Sequence, residues 1–236
     1  MFTAEELIRY SRQIMMPDIG LAGQQRLKNA KVLVIGAGGL GCPLLQYLTA
    51  SGVGEIGVID FDIIEAHNLH RQILYAADDV GKLKATTASQ KLSLLNSNTS
   101  FIVFDEILNE ENAEKIIDQF DIIADGSDNF LTRYLVNDVC VKMNKPLVYG
   151  SILKFEGQLA VFNYQGSKNL RDIFAEAPDP ADVPSCSETG VMGVVPGIIG
   201  TMMCDMVQKI IMKKEVPVNT LLVLDFNTYN FKQLHF

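Results

Sequence analysis

The chain has little from which to build a metal centre. Its 236 residues include four cysteines, Cys42, Cys140, Cys186 and Cys204. They are widely spaced and never fall as C-x-x-C, which excludes a zinc site made of cysteine pairs. Nor do they read as a disulfide framework in an α/β chain of this size. Histidine is scarcer still: His67, His70 and His235 are the only three, too few for hydrolase chemistry built on histidine-ligated metal. Positive charge is short as well. Twenty Lys and Arg against 28 Asp and Glu give a formal net charge of −8, which argues against nonspecific nucleic-acid binding but leaves room for a local basic pocket. No apolar run approaches the ~20 residues that cross a bilayer. The longest candidate, Gly190 to Lys213, is interrupted by glycines and Pro196 and reads as a buried helix starting near Pro196. The first residues, MFTAEELIRYSRQ, are acidic and amphipathic, unlike a signal peptide. The expectation is a soluble cytoplasmic protein with neither membrane nor nucleic acid as a partner.

What is present is concentrated between Lys31 and Ile64. Val32 to Ile35 is a short β-branched apolar run that reads as a buried strand. Gly36-Ala37-Gly38-Gly39-Leu40-Gly41 follows and fits G-x-G-x-x-G. Pro43 to Ala50 has helical spacing, and a second apolar run, Ile56 to Ile59, ends in Asp60-Phe61-Asp62. Strand, glycine turn, helix, strand and acid form a nucleotide-binding βαβ unit. The glycines let backbone N–H groups approach a phosphate on the helix N-terminus, and the acid can accept from ribose hydroxyls.

The rest of the chain continues the alternation. Residues 3 to 14 read as one helix with a capping box from Thr3 to Glu6, followed by a shorter helical piece at Gln24 to Lys28. Glu65 to Gly81 reads as a long polar loop. Helix at Lys84 to Leu95, strand at Phe101 to Phe104, helix at Ala113 to Gln119, strand at Asp121 to Ala124, helix at Phe130 to Met143 and strand at Leu147 to Tyr149 complete a βα series. From Ser151 the pattern turns antiparallel, with a strand at Gly157 to Asn163 and a closing hairpin at Thr220 to Asp225 and Tyr229 to His235. The fold class is therefore α/β: a Rossmann-like, doubly wound, mostly parallel sheet with a C-terminal antiparallel extension. Residues 1–236 form a single domain: a helical arm over 1–30, a nucleotide-binding core over 31–150 and an antiparallel part over 151–236, with a mobile loop at 165–187.

Four features meet at the C-terminal edge of such a sheet: the glycine turn; Asp60 with Asp62; Asn68-Leu69-His70-Arg71-Gln72 with Lys82 and Lys84; and Asp125-x-x-Asp128-Asn129. Arg and Lys neutralise phosphate and an Asp can hold Mg²⁺, so the set suits a nucleoside triphosphate. A nicotinamide cofactor would need less positive charge, although an NAD-dependent oxidoreductase stays open on the glycine fingerprint alone.

In this order, RYSRQI at Arg9 to Ile14, GAGGLGC, DFD, NLHRQ, GKLK, DGSDN, FEGQLAVF at Phe155 to Phe162 and GVMGVVPGIIG at Gly190 to Gly200 resemble the MoeB/ThiF/HesA group, the E1-like adenylyltransferases that activate ubiquitin-fold sulfur carriers. The resemblance implies a homodimer that uses ATP and Mg²⁺ to adenylate the C-terminal carboxylate of a carrier ending in Gly-Gly. It implies an acyl-adenylate and pyrophosphate as products, in molybdopterin, thiamine or related sulfur-transfer biosynthesis. It places residues 151–236 in carrier binding. It sets Gly36, Gly38, Gly39 and Gly41 against the phosphates and Asp60 on the ribose, with Asn68, Arg71 and Lys84 as phosphate contacts. Arg12 matches an arginine inserted from the partner subunit, and Asp128 an aspartate that holds Mg²⁺. Gln72 and Asn129 share these motifs without a fixed role, and His70 is read as a loop residue with no catalytic part. A degenerate, non-catalytic binding module is the remaining alternative.

Two departures accompany the resemblance. Relatives of this type usually carry two C-x-x-C pairs for structural zinc. The first pair would fall where this chain has Asn169-Leu170-Arg171-Asp172, and the second would lie beyond Phe236, so no structural zinc is expected. Cys186 matches a cysteine that in some relatives links covalently to the carrier; the alternative is an unreactive loop thiol, and adenylation alone does not require the link.

Overall fold

A computed structural model describes residues 2–178 and 190–236. Eight strands form one sheet in the order β3-β2-β1-β4-β5-β6-β7-β8. They are β1 (Lys31–Ile35), β2 (Glu55–Ile59), β3 (Ser100–Phe104), β4 (Ile122–Asp125), β5 (Leu147–Leu153), β6 (Glu156–Phe162), β7 (Thr220–Asp225) and β8 (Asn230–His235). The first five are parallel, and β6, β7 and β8 extend the sheet antiparallel. The fold is thus the α/β architecture that the alternating pattern predicts.

The central strands are buried on both faces, which is why they are apolar throughout rather than alternating. Successive side chains still point opposite ways. Val32 and Val34 enter one core layer, with α3 (Gly20–Asn29), α4 (Gly41–Ser51), α5 (Lys84–Leu95) and α8 (Val194–Ile211). Leu33 and Ile35 enter the other, beneath α6 (Ala113–Ile117) and α7 (Phe130–Met143). Helix α8 is long and apolar enough to cross a membrane, yet Ile199, Met203 and Val207 are buried in the first layer.

Three expectations are corrected. The segment from 3 to 14 is two helices, α1 (Ala4–Arg9) and α2 (Ser11–Ile14). The Thr3–Glu6 capping box forms, but the chain breaks at Tyr10, whose buried side chain accepts a hydrogen bond from Asn96 Nδ2 at 2.8 Å. Strand β5 does not stop at Tyr149. Its parallel partner β4 ends there, but all seven of its residues pair with β6. The stretch from 65 to 81 contains two 3₁₀ turns, Ala66–Asn68 and Ala77–Asp79.

Candidate functional site

The carboxyl ends of β2, β1 and β4 lie side by side, with Ile35 opposite Ile59 on one flank and Asp125 on the other. From β1 the chain passes to β2 on one side, and from β3 it crosses back to β4 on the other, so this rim is a topological switch point, where open α/β sheets bind ligands. The glycine turn sits on it. Gly36 has φ +86° and donates its N–H to the Ile59 carbonyl at 2.9 Å. A side chain at Gly41 would overlap the Gly36 carbonyl oxygen, so these two glycines close the turn against the first residue of α4. Gly38 differs: a methyl there would meet only the Gln72 amide, 3.6 Å away. Gly39 rests against Pro196 of α8 and the stem of Arg71.

The turn is fastened from below. Asp60 Oδ2 accepts from the Ala37 N–H at 2.7 Å and its Oδ1 from the Asp62 N–H at 2.9 Å. Burial pushes the Asp60 carboxyl above the usual range, opposed by nearby Lys84 and by these two donors. The Ala37 carbonyl faces the buried Tyr75 hydroxyl at 2.9 Å and the Cys42 thiol at 3.3 Å. Tyr75 also lies 3.1 Å from the Lys84 carbonyl, and its single phenolic proton serves one acceptor at a time. Burial pushes Cys42 up to about 12, so it is an inert thiol in this setting.

Two cations border the turn. Lys84 opens α5 with its side chain 7% exposed, and its Nζ is 2.8 Å from Asp62 Oδ2. Arg71 is half-buried, with Nη1 donating to the His67 carbonyl at 3.1 Å and lying 2.9 Å from His70 Nε2. Lys82 is paired elsewhere, with Asp79 at 3.1 Å. Asn68 is buried and closes its own 3₁₀ turn, its Oδ1 accepting from the Glu65 N–H at 3.1 Å. Gln72 is 3% exposed, and its Oε1 has no hydrogen-bond partner.

At the end of β4, Asp125 is fully buried. Its Oδ1 accepts from the Ser127 N–H at 2.9 Å, while its Oδ2 and the Ser127 hydroxyl are unpartnered. Buried Arg133 locks this loop, donating to the Ser127 carbonyl at 2.6 Å and the Gly150 carbonyl at 2.9 Å, with its guanidinium 5.0 Å from the Tyr149 ring centre. Asp128 is exposed beside it. Asn129 is the N-cap of α7, its Oδ1 accepting from the Thr132 N–H at 2.9 Å.

Arg12 is not at this rim. Gln13 donates to the Ser51 carbonyl at 3.1 Å, anchoring α2 at the last residue of α4. Since α4 has 11 residues, Arg12 sits roughly 16 Å along the helix from the glycine turn. Cys186 lies outside the described residues. Arg171 donates through Nε and Nη2 to both Asp138 oxygens, each at 2.7 Å, fastening the 169–172 turn to α7. Among the described residues no group of three or more His, Cys, Asp or Glu is gathered for a metal ion.

The structure brings together the glycine turn, Asp60, Arg71, Gln72 and Lys84, with Asn68 in the turn that carries Arg71 and Gln72 and Asp128 and Asn129 in the loop after Gly126, whose carbonyl packs on Gly36. Sequence reasoning missed Tyr75, Arg133 and the Lys84–Asp62 pair. The nearest signals were Asp62 two residues after Asp60 and Arg133 four after the N-cap Asn129. Chemically the rim offers open backbone at Gly38, a helix N-terminus and two cations, a set that fits a polyphosphate.

A profile of the ThiF family matches residues 10–236. The chain is 45% identical over 239 residues to the "Sulfur carrier protein adenylyltransferase" of Thermus thermophilus, covering 99% of this chain and 88% of that protein. It is 49% identical over 208 residues to the "Adenylyltransferase and sulfurtransferase MOCS3" of Xenopus laevis, covering 88% of this chain and 46% of that one. It spans about half the length of several such relatives. Among solved structures, PaaA superposes with a TM-score of 0.85 at 23% identity, covering 99% of this chain and 74% of PaaA, a likeness of fold.

Proposed function

The chain belongs to the ThiF family, and from that premise we propose that it uses Mg·ATP to adenylate the C-terminal carboxylate of a small ubiquitin-fold sulfur carrier. The observation that carries this reading is the pairing of an open glycine turn with two cations, Lys84 and Arg71, on one rim of the sheet. Two anions must meet: a carboxylate and an α-phosphate. The barrier is therefore lowered chiefly by charge neutralisation and alignment. The carboxylate is already ionised at neutral pH, so no side chain has to remove a proton, and the site is accordingly rich in Arg, Lys and Asp.

In this reading the free N–H groups of the glycine turn ahead of Cys42 receive phosphate oxygens, the Cys42 N–H being held by the Gly38 carbonyl, and Asp60 accepts from the ribose. Lys84, Arg71, Asn68 and Gln72 hold the triphosphate. The carrier's carboxylate oxygen bonds to the α-phosphorus as the bridge to the β-phosphate breaks, and pyrophosphate leaves with the electron pair. Mg²⁺, bound with the nucleotide, would supply charge neutralisation. Asp128 is the carboxylate assigned to it, and triphosphate-borne Mg²⁺ needs only one or two carboxylates from protein.

The homodimer belongs to the same proposal. A groove of about 780 Å³ runs along α4 from His70 and Arg71 at the site to Ala50 and Leu95 at the far end. It is lined by the exposed apolar side chains Tyr47, Ile73, Val194 and Ile198. A two-fold axis through this groove and perpendicular to α4 would set the α4 helices antiparallel. The far end of one copy, with its Arg12, then meets the rim of the other, which supports Arg12 acting in trans. The antiparallel extension is left for the carrier.

ATP–pyrophosphate exchange with Gly-Gly-ended carriers, one at a time, tests the reading. Exchange with one carrier, abolished by Arg71→Ala and by Asp128→Ala at unchanged melting temperature, is the expected result. Undiminished exchange in either variant would remove the proposed site.

A further inference from the structure

Arg71 lies on the glycine turn but does not reach it unaided. Its Nη1 is 2.9 Å from His70 Nε2 and donates to the His67 carbonyl at 3.1 Å. Arginine carries donors only and stays protonated, so His70 Nε2 must be the acceptor. That fixes the ring as neutral imidazole with its proton on Nδ1. The ring is held from a second element. Gly193, just before α8, packs so closely that a side chain there would overlap the His70 carbonyl and come within 3.3 Å of His70 Nδ1. The backbone of His70 is therefore packed against the segment just before α8, and its exposed imidazole presents one lone pair to one guanidinium nitrogen.

A guanidinium on a flexible stem samples many rotamers, and each hydrogen bond made before substrate arrives removes part of that freedom. The carbonyl of His67 alone gives a single point of attachment. Adding Nε2 gives two acceptors at one nitrogen, which sets the roll of the guanidinium plane and directs its remaining N–H groups away from the turn of 67–70. The same stem carbon packs 3.7 Å from the position of a Gly39 methyl, so the arm is aligned along the glycine turn.

We infer that His70 is a positioning residue for Arg71, holding the guanidinium by a hydrogen bond from Arg71 Nη1 to neutral Nε2 so that it meets the phosphates ready oriented. This rests on the proposed adenylation. His70 touches no reacting atom; it acts through Arg71, and what it needs is an acceptor at that reach rather than an imidazole.

The test compares His70→Leu with His70→Gln, using exchange at saturating carrier and varied ATP, with ATP affinity by calorimetry. Leu keeps bulk and removes the acceptor; Gln restores a carbonyl oxygen. His70→Leu is expected to lose about tenfold in kcat/KM for ATP, on the scale of one hydrogen bond to a charged group. His70→Gln should stay within about twofold of the parent. In an Arg71→Ala background, His70→Leu should not weaken ATP binding further, because the residue through which it acts is gone. Equal losses in the Leu and Gln variants, or an undiminished Leu variant, would overturn the inference. So would a loss in ATP affinity that persists without Arg71. Should Arg71→Ala itself keep full exchange, the adenylation site is what fails.

Discussion

Arg133 offers the sharpest test of how the fold holds its acidic loop. The side chain is 6% exposed, donates to two buried carbonyls, Ser127 and Gly150, and lies over the Tyr149 ring. Arg133→Met keeps the length and removes the donors. Leaving two buried acceptors without partners costs about 1–3 kcal/mol each, and the lost ring contact about 1 kcal/mol. Against this, a guanidinium no longer has to be desolvated, so the net loss is about 3 kcal/mol. With an m-value of about 2–3 kcal/mol per molar urea for a chain of this size, the unfolding midpoint should fall by about 1 M. Protein concentration must be fixed, because dimer dissociation would enter the midpoint. Arg133→Lys should lose about half as much, since one ammonium can reach one of the two carbonyls. Exchange, measured without urea where both variants are folded, should fall further than stability does, because the released loop carries Asp128. A midpoint within about 0.2 M of the parent, with exchange intact, would refute the lock.

Two further outcomes follow from other parts of the molecule. Asp79 is buried and held by Lys91 at 2.6 Å, Lys82 at 3.1 Å and the Ala76 N–H at 2.9 Å, and Lys91 above all lowers its carboxyl to about 2. A depressed carboxyl contributes above its unfolded value, near 4, and loses the contribution as pH falls through 2. That contribution is about 2 kcal/mol at most, because exposed Lys82 is screened. The stability gap between the parent and Asp79→Asn should therefore be widest above pH 5 and close toward pH 2; a constant gap contradicts the assignment. Second, mixing inactive Arg12→Ala with inactive Arg71→Ala should restore about a quarter of parental exchange, because half the dimers are mixed and each holds one intact site. No recovery after subunit exchange would argue against action in trans.

The chain announces its elements where local and global preferences agree. Helices at Lys84–Leu95 and Phe130–Met143 are found at their sequence-predicted bounds, and the second is marked in sequence by its N-cap Asn129. The glycine turn is legible because Gly36 and Gly41 meet backbone that no other residue could approach. What stayed hidden depends on direction rather than periodicity. Tyr10 looks like one more residue of an amphipathic helix, yet the helix breaks so that its ring can enter the core. Strand β5 outruns its apolar stretch because β6, not β4, supplies its later partners. Tyr75 and Arg133 carry no motif. Their roles come from acceptors distant in sequence, Ala37 and Gly150, which only tertiary structure brings near.

The charge balance of the rim explains how a chain of net charge −8 can present cations to a polyphosphate. A buried Lys84 without a partner would carry a desolvation penalty of several kcal/mol. Asp62 offsets part of that penalty, and Asp62 itself is 49% exposed. The pair is therefore lopsided: the cation is enclosed and the anion is wet. A phosphate oxygen that displaces Asp62 leaves the lysine compensated as before, and the freed carboxylate returns to water at little cost. Asp60 cannot play this part, because it is engaged by the Ala37 and Asp62 N–H groups and holds the turn itself. In the proposed adenylation two acids two residues apart thus do different work, one fixing the backbone that would face the nucleotide and the other keeping a buried cation neutralised until an anion would take its place.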